Sequence, residues 1–370
     1  MDMGIPGALL GALPLTVATA YLVLWVLTPP VIRLCTRLGL YDYPGARKRH
    51  LVPTPRLGGL AIAAGIGASV LLTSLLWPHL LQDLAGQWPG IIWAGLLILA
   101  LGVYDDVVGA PAYLKLMAQI TAGLLLCLWD FKFATVWVPF VGRIPLGIWS
   151  IPLTTMWIVV LCNAVNLVDG LDGLASGLAA IGGFFLAAVG VFWSVPLVAV
   201  LGAALVGANL GFLRFNFPPA RIFMGDSGSL FLGFVFAVAS VSVPIKTLTA
   251  ITMALPLLAV AFPVVEVITS ATRRMLSGRS PMRADHAHWH QLLVRRGWST
   301  RRILWTYYGL AVGFGLFVPA LRYVDRYLVL PVFLVFCAVV IGYLSSRARV
   351  KPSNELASSP ADAEIEHARV

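Results

Sequence analysis

Runs of mostly apolar residues recur along almost the whole chain. A helix needs about 20 such residues to cross the hydrocarbon core of a bilayer. Candidate spans, with ends uncertain by several residues, lie at 8–29, 58–77, 90–104, 112–129, 148–165, 173–193, 196–213, 228–244, 248–270, 303–321 and 327–345. The pattern therefore predicts an all-α fold, a polytopic integral membrane bundle of about eleven transmembrane helices. Two spans, 90–104 and 228–244, are short and adjoin acidic motifs, which is typical of helices that end at a water-filled cavity.

The composition supports a membrane protein over a soluble one. Of the 370 residues, 59% are hydrophobic and 11% are charged, whereas soluble domains carry about 25% charged residues. The four cysteines lie in or beside apolar runs without metal-binding spacing, so we expect buried apolar side chains and no disulfide framework. The net charge of +10 has a plainer explanation than nucleic-acid binding, and we predict no nucleic-acid partner.

The basic residues indicate how the chain is oriented in the membrane. With the N-terminus outside, 21 of the 26 Lys and Arg residues fall in inner segments. Because cytoplasmic loops carry an excess of Lys and Arg, this predicts an outer N-terminus and a cytoplasmic C-terminus. We expect one transmembrane catalytic domain, 1–345, and a disordered cytoplasmic tail, 346–370. The predicted cytoplasmic active-site loops lie at about 35–57, 104–115, 163–175, 214–229 and 271–302.

Acidic residues gather at the predicted cytoplasmic helix ends, where ionised groups tend to be functional. Asp105 and Asp106 end the third span, and Lys115 begins the next. Adjacent carboxylates repel each other unless a cation or proton intervenes, so the three residues suit a phosphate and metal site. The alternative is a solvated helix end with two exposed acids.

Two further motifs contain oxygen ligands and glycines. Asn163, Asn166 and Asp169 are spaced by three, which places them on one helical face, and Asp172 follows. Their oxygens suit a hard cation such as Mg²⁺, although an asparagine-rich packing face is the alternative. In the segment from Gly225 to Ser229, the backbone could bind an anion at a helix N-terminus while Asp226 holds a metal. A simple N-cap would explain the same residues.

Two basic loops complete the polar sequence features. The loop from Arg279 to Gln291 contains His286, His288 and His290, and phosphate or nucleotide contact is favoured there over a structural loop or a zinc site. The segment from Asp42 to Gly59 is punctuated by Pro and Gly, which excludes a continuous helix. Its basic cluster could contact anionic headgroups or grip the phosphate of a lipid substrate, and the sequence does not separate the two.

Five motifs in this order resemble the polyprenyl-phosphate N-acetylhexosamine-1-phosphate transferases. They are D-x-P-x-x-R-K-x-H-x-x-P-T-P-R-x-G-G from Asp42, the Asp105-Asp106 pair, N-x-x-N-x-x-D-G-x-D-G-L from Asn163, G-D-S-G-S from Gly225, and the histidine loop. The R-S-P-x-R-x-D-x-x-H-x-H form of that loop is similar to the branch that transfers N-acetylglucosamine 1-phosphate to undecaprenyl phosphate. The resemblance runs from about residue 30 to 345.

The resemblance implies a role for each matching residue. Asp105 and Asp106 would be catalytic carboxylates, and Asp226 and Asn166 would contact the metal. The substrate-binding residues would be Lys115, Asp169, Asp172, Arg47, His50, Arg279, Arg283, His288 and His290. The cofactor would be Mg²⁺, with Mn²⁺ as the alternative, because both accept oxygen ligands. The substrates would be a UDP-sugar and a polyprenyl phosphate at the cytoplasmic face of the plasma membrane, and whether the enzyme forms a homodimer stays open.

Three other functions compete with this interpretation. The muramoyl-pentapeptide branch of the same family is the first. A secondary transporter would also carry intramembrane acids and Gly-interrupted helices, but transporters tend to place charges near mid-bilayer and show repeats. A structural scaffold leaves the one-sided polar cluster unexplained. The crucial expectation is geometric: Asp105, Asn166 and Asp226 should lie together at one end of the bundle.

Overall fold

The computed structural model describes residues 4–43, 52–138, 142–242, 293–294, 296–317, 320, 323–324 and 326–348. Within these ranges the fold is mostly helical. The helices are α1 Gly4–Leu38, α2 Gly58–Leu76, α3 Trp88–Val108, α4 Ala112–Leu128, α5 Ser150–Val168, α6 Leu174–Phe192, α7 Pro196–Asn216, α8 Gly225–Val241, α9 Thr300–Gly315 and α10 Arg326–Ala348. Four short strands, β1 Tyr41–Asp42, β2 Thr54–Pro55, β3 Thr135–Val138 and β4 Gly142–Pro145, form two antiparallel ribbons, β1 with β2 and β3 with β4.

The membrane-protein prediction is confirmed at a coarse level. Six of the described helices, α1, α2, α3, α5, α6 and α7, are long and apolar enough to cross a membrane. Helices α4 and α8 are apolar but have 17 residues each. The predicted span at 248–270 lies outside the described residues, so the count of eleven and the orientation stay predictions.

The helices form one continuous core. Helix α6 packs along α7, α7 along α1, and α1 along α2, while α8 lies against both α3 and α5. Helix α4 bridges α3 and α5, and α9 contacts α6. Because α8 touches α2, α3 and α5, its first turn lies where several helix ends meet.

Three sequence expectations about the elements are corrected. Helix α1 continues through Pro29 and Pro30 to Leu38, beyond the predicted end at 29, because Val31 and Ile32 pack on the core and hold the next turns. Helix α3 has 21 residues, about 32 Å, so it is not a short span. The fold is not purely α, since the segments around Asp42 and Val136 pair as ribbons.

The remaining boundaries differ by small amounts. The GDSGS motif forms the first turn of α8 instead of preceding it. Helix α10 ends at Ala348, inside the predicted tail 346–370, and the rest of that tail lies outside the described residues.

Candidate active site

Asp105 and Lys115 meet across the short turn that joins α3 to α4. Gly109 adopts φ 87° at the end of α3, a left-handed conformation that glycine accepts without strain. The turn lets Ala110 N–H donate to Asp105 Oδ1 at 2.5 Å, and Lys115 Nζ donates to Asp105 Oδ2 at 2.7 Å. The acid and the lysine are therefore held as a charge-assisted pair at the end of two adjacent helices.

The same lysine reaches the first turn of α8. Lys115 Nζ lies 2.5 Å from Asp226 Oδ2, and Asn166 Nδ2 donates to Asp226 Oδ1 at 3.0 Å. Asn166 also donates to Ser229 Oγ at 2.9 Å. Four helices, α3, α4, α5 and α8, thus place their polar side chains in one cluster, and the geometric expectation for Asp105, Asn166 and Asp226 is confirmed.

Asp106 binds the backbone beneath this cluster and not its polar side chains. Its side chain is 6% exposed, and its two oxygens accept the backbone N–H groups of Asp226 and Ser227 at 2.8 and 3.0 Å. The sequence predicted that the N-terminus of α8 could bind an anion. In the structure, the Asp106 carboxylate occupies that position. The N-cap residue of α8 is Met224, so the predicted alternative, in which Asp226 or Ser227 is the N-cap, is wrong. Met224 makes no side-chain cap hydrogen bond.

Glycines bring three helices to backbone contact around the start of α8. A Cβ on Gly59 of α2 would collide with the backbone of Ser227 and Gly228, and one on Gly102 of α3 would collide with the backbone of Ser227. Gly58 N–H and Gly59 N–H donate to the carbonyls of residues 223 and 224 at 3.0 and 2.9 Å. The Gly-Gly pair that ends the first motif is therefore explained by helix packing.

The loop between α5 and α6 carries Asp169 and Asp172. Asp172 Oδ2 accepts the N–H of Ala220 at 3.0 Å, which ties this loop to the segment before α8. Removal from water, together with the negative charges of Asp226, Asp106 and Asp172, raises the pKa of Asp169 well above its ordinary value. Asp169 is thus close enough to the cluster to interact with its charges, whereas Asp172 binds the backbone N–H of Ala220.

Sequence reasoning missed two residues that fix this loop. Asn216 Oδ1 accepts Gly173 N–H at 2.9 Å and Ser176 Oγ–H at 3.0 Å, while Asn216 Nδ2 donates to Ile222 O at 2.9 Å. Tyr308 of α9 donates its hydroxyl to Gly173 O at 2.6 Å. A lone amide that ends an apolar span was the available signal for Asn216; Tyr308 had none, because its partner lies 135 residues away.

Asn163 does not join the other members of its motif. Its Nδ2 donates to Gln119 Oε1 at 2.7 Å and to Val159 O at 2.8 Å. The expectation that Asn163 shares a ligand-binding face with Asn166 and Asp169 is therefore not met. Gln119 is fully buried, so Asn163 serves to join α4 to α5.

Six predicted substrate-binding residues cannot be placed, because they lie outside the described residues: Arg47, His50, Arg279, Arg283, His288 and His290. The base of the first basic loop is described. There Arg56 lies 3.8 Å from Asp42 and donates to Tyr41 O at 3.1 Å, which closes the β1–β2 ribbon.

Removal of the Tyr308 hydroxyl should destabilise the protein slightly. In a Tyr308→Phe variant the ring can still pack on Gly177, but the hydrogen bond to Gly173 is lost. That carbonyl also accepts Gly177 N–H, so the expected loss is about 0.5–1.5 kcal/mol, or a few degrees in thermal midpoint. The measurement is thermal unfolding in detergent, with exposed Tyr113→Phe as control. Equal midpoints for the two variants would contradict the assignment.

The described site combines carboxylates, a lysine and an amide at one end of a membrane-type helical bundle. Residues 88–244, which contain α3 to α8, match the model of glycosyl transferase family 4. The chain belongs to this family, since relatives in it are more than 30% identical over most of the chain.

Three relatives illustrate the range of similarity. A Bacillus subtilis protein named "Probable undecaprenyl-phosphate N-acetylglucosaminyl 1-phosphate transferase" is 32% identical over 85% of this chain and 86% of its own. The decaprenyl-phosphate N-acetylglucosaminephosphotransferase of Mycobacterium tuberculosis is 37% identical over 80% of both chains. The phospho-N-acetylmuramoyl-pentapeptide-transferase of Desulforudis audaxviator is 33% identical over 80% of this chain and 94% of its own.

Proposed function

We propose that this protein transfers N-acetylglucosamine 1-phosphate, or a related N-acetylhexosamine 1-phosphate, from a UDP-sugar to undecaprenyl phosphate and releases UMP. The reaction would be the first membrane step of a cell-envelope polysaccharide. The observation that carries the proposal is the Asp105–Lys115–Asp226–Asn166 cluster, built from four helix ends at one end of the bundle. The relatives named as N-acetylglucosamine phosphotransferases supply the substrate class.

The residues present fit a magnesium site. Mg²⁺ usually keeps several waters and binds one or two carboxylates together with substrate phosphates. Among the described residues no three His, Cys, Asp or Glu side chains converge as a ready-made metal cage. Asp226 and the amide oxygen of Asn166 would hold the ion. Asp105 and Asp106 place further negative charge around Asp226, and Lys115 is the one cation described in contact with it.

When bound, Mg²⁺ neutralises pyrophosphate charge and stabilises the leaving phosphate. Asp105 is assigned as the base, because its Oδ2 lies in the cluster beside Lys115, whereas both oxygens of Asp106 accept α8 N–H groups. It would take the last proton of the lipid phosphate, whose second pKa is about 6. The freed oxygen then attacks the sugar-bearing phosphorus, and the bond to UMP breaks with its electron pair on UMP. Lys115 would stabilise charge on the transferring phosphoryl group.

Two rivals give different products. The muramoyl-pentapeptide reaction uses the same chemistry, and some relatives are named phospho-N-acetylmuramoyl-pentapeptide-transferase. A transporter would move its ligand without chemistry, yet the described acids lie at helix ends and not at mid-span. The 21-to-5 distribution of basic residues supports a cytoplasmic active site in the plasma membrane.

A reconstituted assay tests the function directly. Purified protein, Mg²⁺ and undecaprenyl phosphate are mixed with UDP-N-acetylglucosamine labelled in the sugar. We expect label in a lipid-linked product and one UMP per lipid. UDP-N-acetylmuramoyl-pentapeptide is the competing donor, and sealed proteoliposomes without acceptor test for transport. Exclusive use of the pentapeptide donor, or uptake of label without UMP release, would contradict the proposal.

A further inference from the structure

The adjacent residues Asp105 and Asp106 bind different partners. Asp105 faces Lys115, whereas the buried carboxylate of Asp106 is directed at the first turn of α8. Both Asp106 oxygens accept a backbone N–H group, and the side chain is 6% exposed. Asp106 therefore has little surface left for a substrate.

The first turn of α8 needs such a partner. The first N–H groups of a helix have no carbonyl within the helix, and burying them unpaired is costly. Met224 offers no side-chain cap, so the N–H groups of Asp226 and Ser227 depend on Asp106. A carboxylate also interacts favourably with the positive end of the helix dipole.

The backbone is shaped to admit this carboxylate. Gly225 has φ 69°, and a Cβ there would collide with the Asp106 carboxylate. Gly102 lies one turn before Asp106 on α3, and a Cβ on it would collide with Ser227. Both glycines permit the close approach of α3 and α8 on which the two hydrogen bonds depend.

Asp226 is consequently held from two sides. Its backbone N–H binds Asp106, while its carboxylate contacts Lys115 and Asn166. A shift of the first turn of α8 would move the carboxylate relative to both partners. We propose that Asp106 is a positioning residue that fixes the first turn of α8, and thereby sets the affinity of Asp226 for its cation. This inference deepens the proposed function and rests on it.

Replacing Asp106 by Asn tests the role, because the amide keeps one acceptor oxygen and loses the other. We expect Mn²⁺ affinity, measured by electron paramagnetic resonance on the purified protein without substrates, to fall about 10- to 100-fold. Amide hydrogen exchange in the first turn of α8 should become faster. In the transfer assay, raising the metal concentration should restore much of the lost rate.

Asp130→Asn is the matched control. Asp130 is 82% exposed and pairs with Lys132, beyond the opposite end of α4 from Lys115. We expect neither metal affinity nor α8 exchange to change in this variant. If Asp106→Asn abolishes transfer at every metal concentration while Mn²⁺ affinity and α8 exchange stay unchanged, Asp106 acts in the chemistry and the proposal is wrong.

Gly225→Ala provides a second test that leaves every ionisable group in place. The added methyl group would push against the Asp106 carboxylate, so metal affinity and α8 exchange should change in the same direction as in Asp106→Asn. Unaltered values in Gly225→Ala would overturn the proposal, even if Asp106→Asn fails to fold. The exchange measurement needs neither substrate nor metal, so it decides the role of Asp106 even if the transfer assay rejects the proposed function.

Discussion

Asp226→Ala should abolish transfer, with a loss of at least about 10³-fold in kcat. Groups that neutralise charge on a transferring phosphoryl group contribute about 10³–10⁵ in rate. Asp226 contacts both Lys115 and Asn166, so its removal takes away the proposed metal ligand and leaves both partners without their shared acceptor. The backbone hydrogen bond from residue 226 to Asp106 survives, and the helix is expected to stay in place.

The measurement pairs kcat in the lipid-linked product assay with thermal unfolding of the same detergent preparation. Asp130→Ala, an exposed acid distant from the cluster, serves as the control and should keep its activity. Turnover of Asp226→Ala like that of the unaltered protein would remove the metal assignment. A collapsed thermal midpoint would instead show that the acid is needed for folding.

Lys115→Met should lower kcat by about 10²–10³-fold, the range for loss of one charge-stabilising donor in an active site. The lysine is the described link between Asp105 and Asp226, and without it two carboxylates face each other with less compensation. Methionine keeps most of the side-chain volume, so packing changes little.

A double variant measures how strongly Asp105 and Lys115 depend on each other. If Asp105 and Lys115 act as a unit, Asp105→Asn combined with Lys115→Met should lose much less than the product of the two single losses. Lys132→Met is the control, because Lys132 pairs with exposed Asp130 away from the cluster. Fully multiplicative losses, or a Lys115→Met enzyme with normal kcat, would contradict the described coupling.

The location of the site could be predicted from the sequence because hydropathy fixes helix ends. Asp105, Asn166 and Asp226 each lie at the end of an apolar run, and the alternation of spans places those ends on one side. The structure confirms that they meet. Periodicity also led to the expectation about Asn163, which fails because Gln119 on a neighbouring helix offers it a partner.

Other features depend on which groups meet across helices. Nothing in a pair of adjacent aspartates distinguishes the one that faces Lys115 from the one that caps α8, since that choice depends on Gly102 and Gly225. Likewise, hydropathy cannot show that α1 continues beyond Pro30, because the turns that follow are held by tertiary packing. Contacts as distant as Tyr308 with Gly173 leave no local pattern.

The backbone contact of α2, α3 and α8 at Gly59, Gly102 and Gly228 determines which substitutions leave the geometry of the site unchanged. Because the helices meet through backbone atoms at these glycines, their separation at this end does not depend on the size of apolar side chains. Residues on the outer faces, such as exposed Leu96, can be exchanged for other apolar residues without altering the distance between the acids. The reactive end can therefore keep its dimensions while the surrounding surface adapts to membranes of different thickness or lipid content.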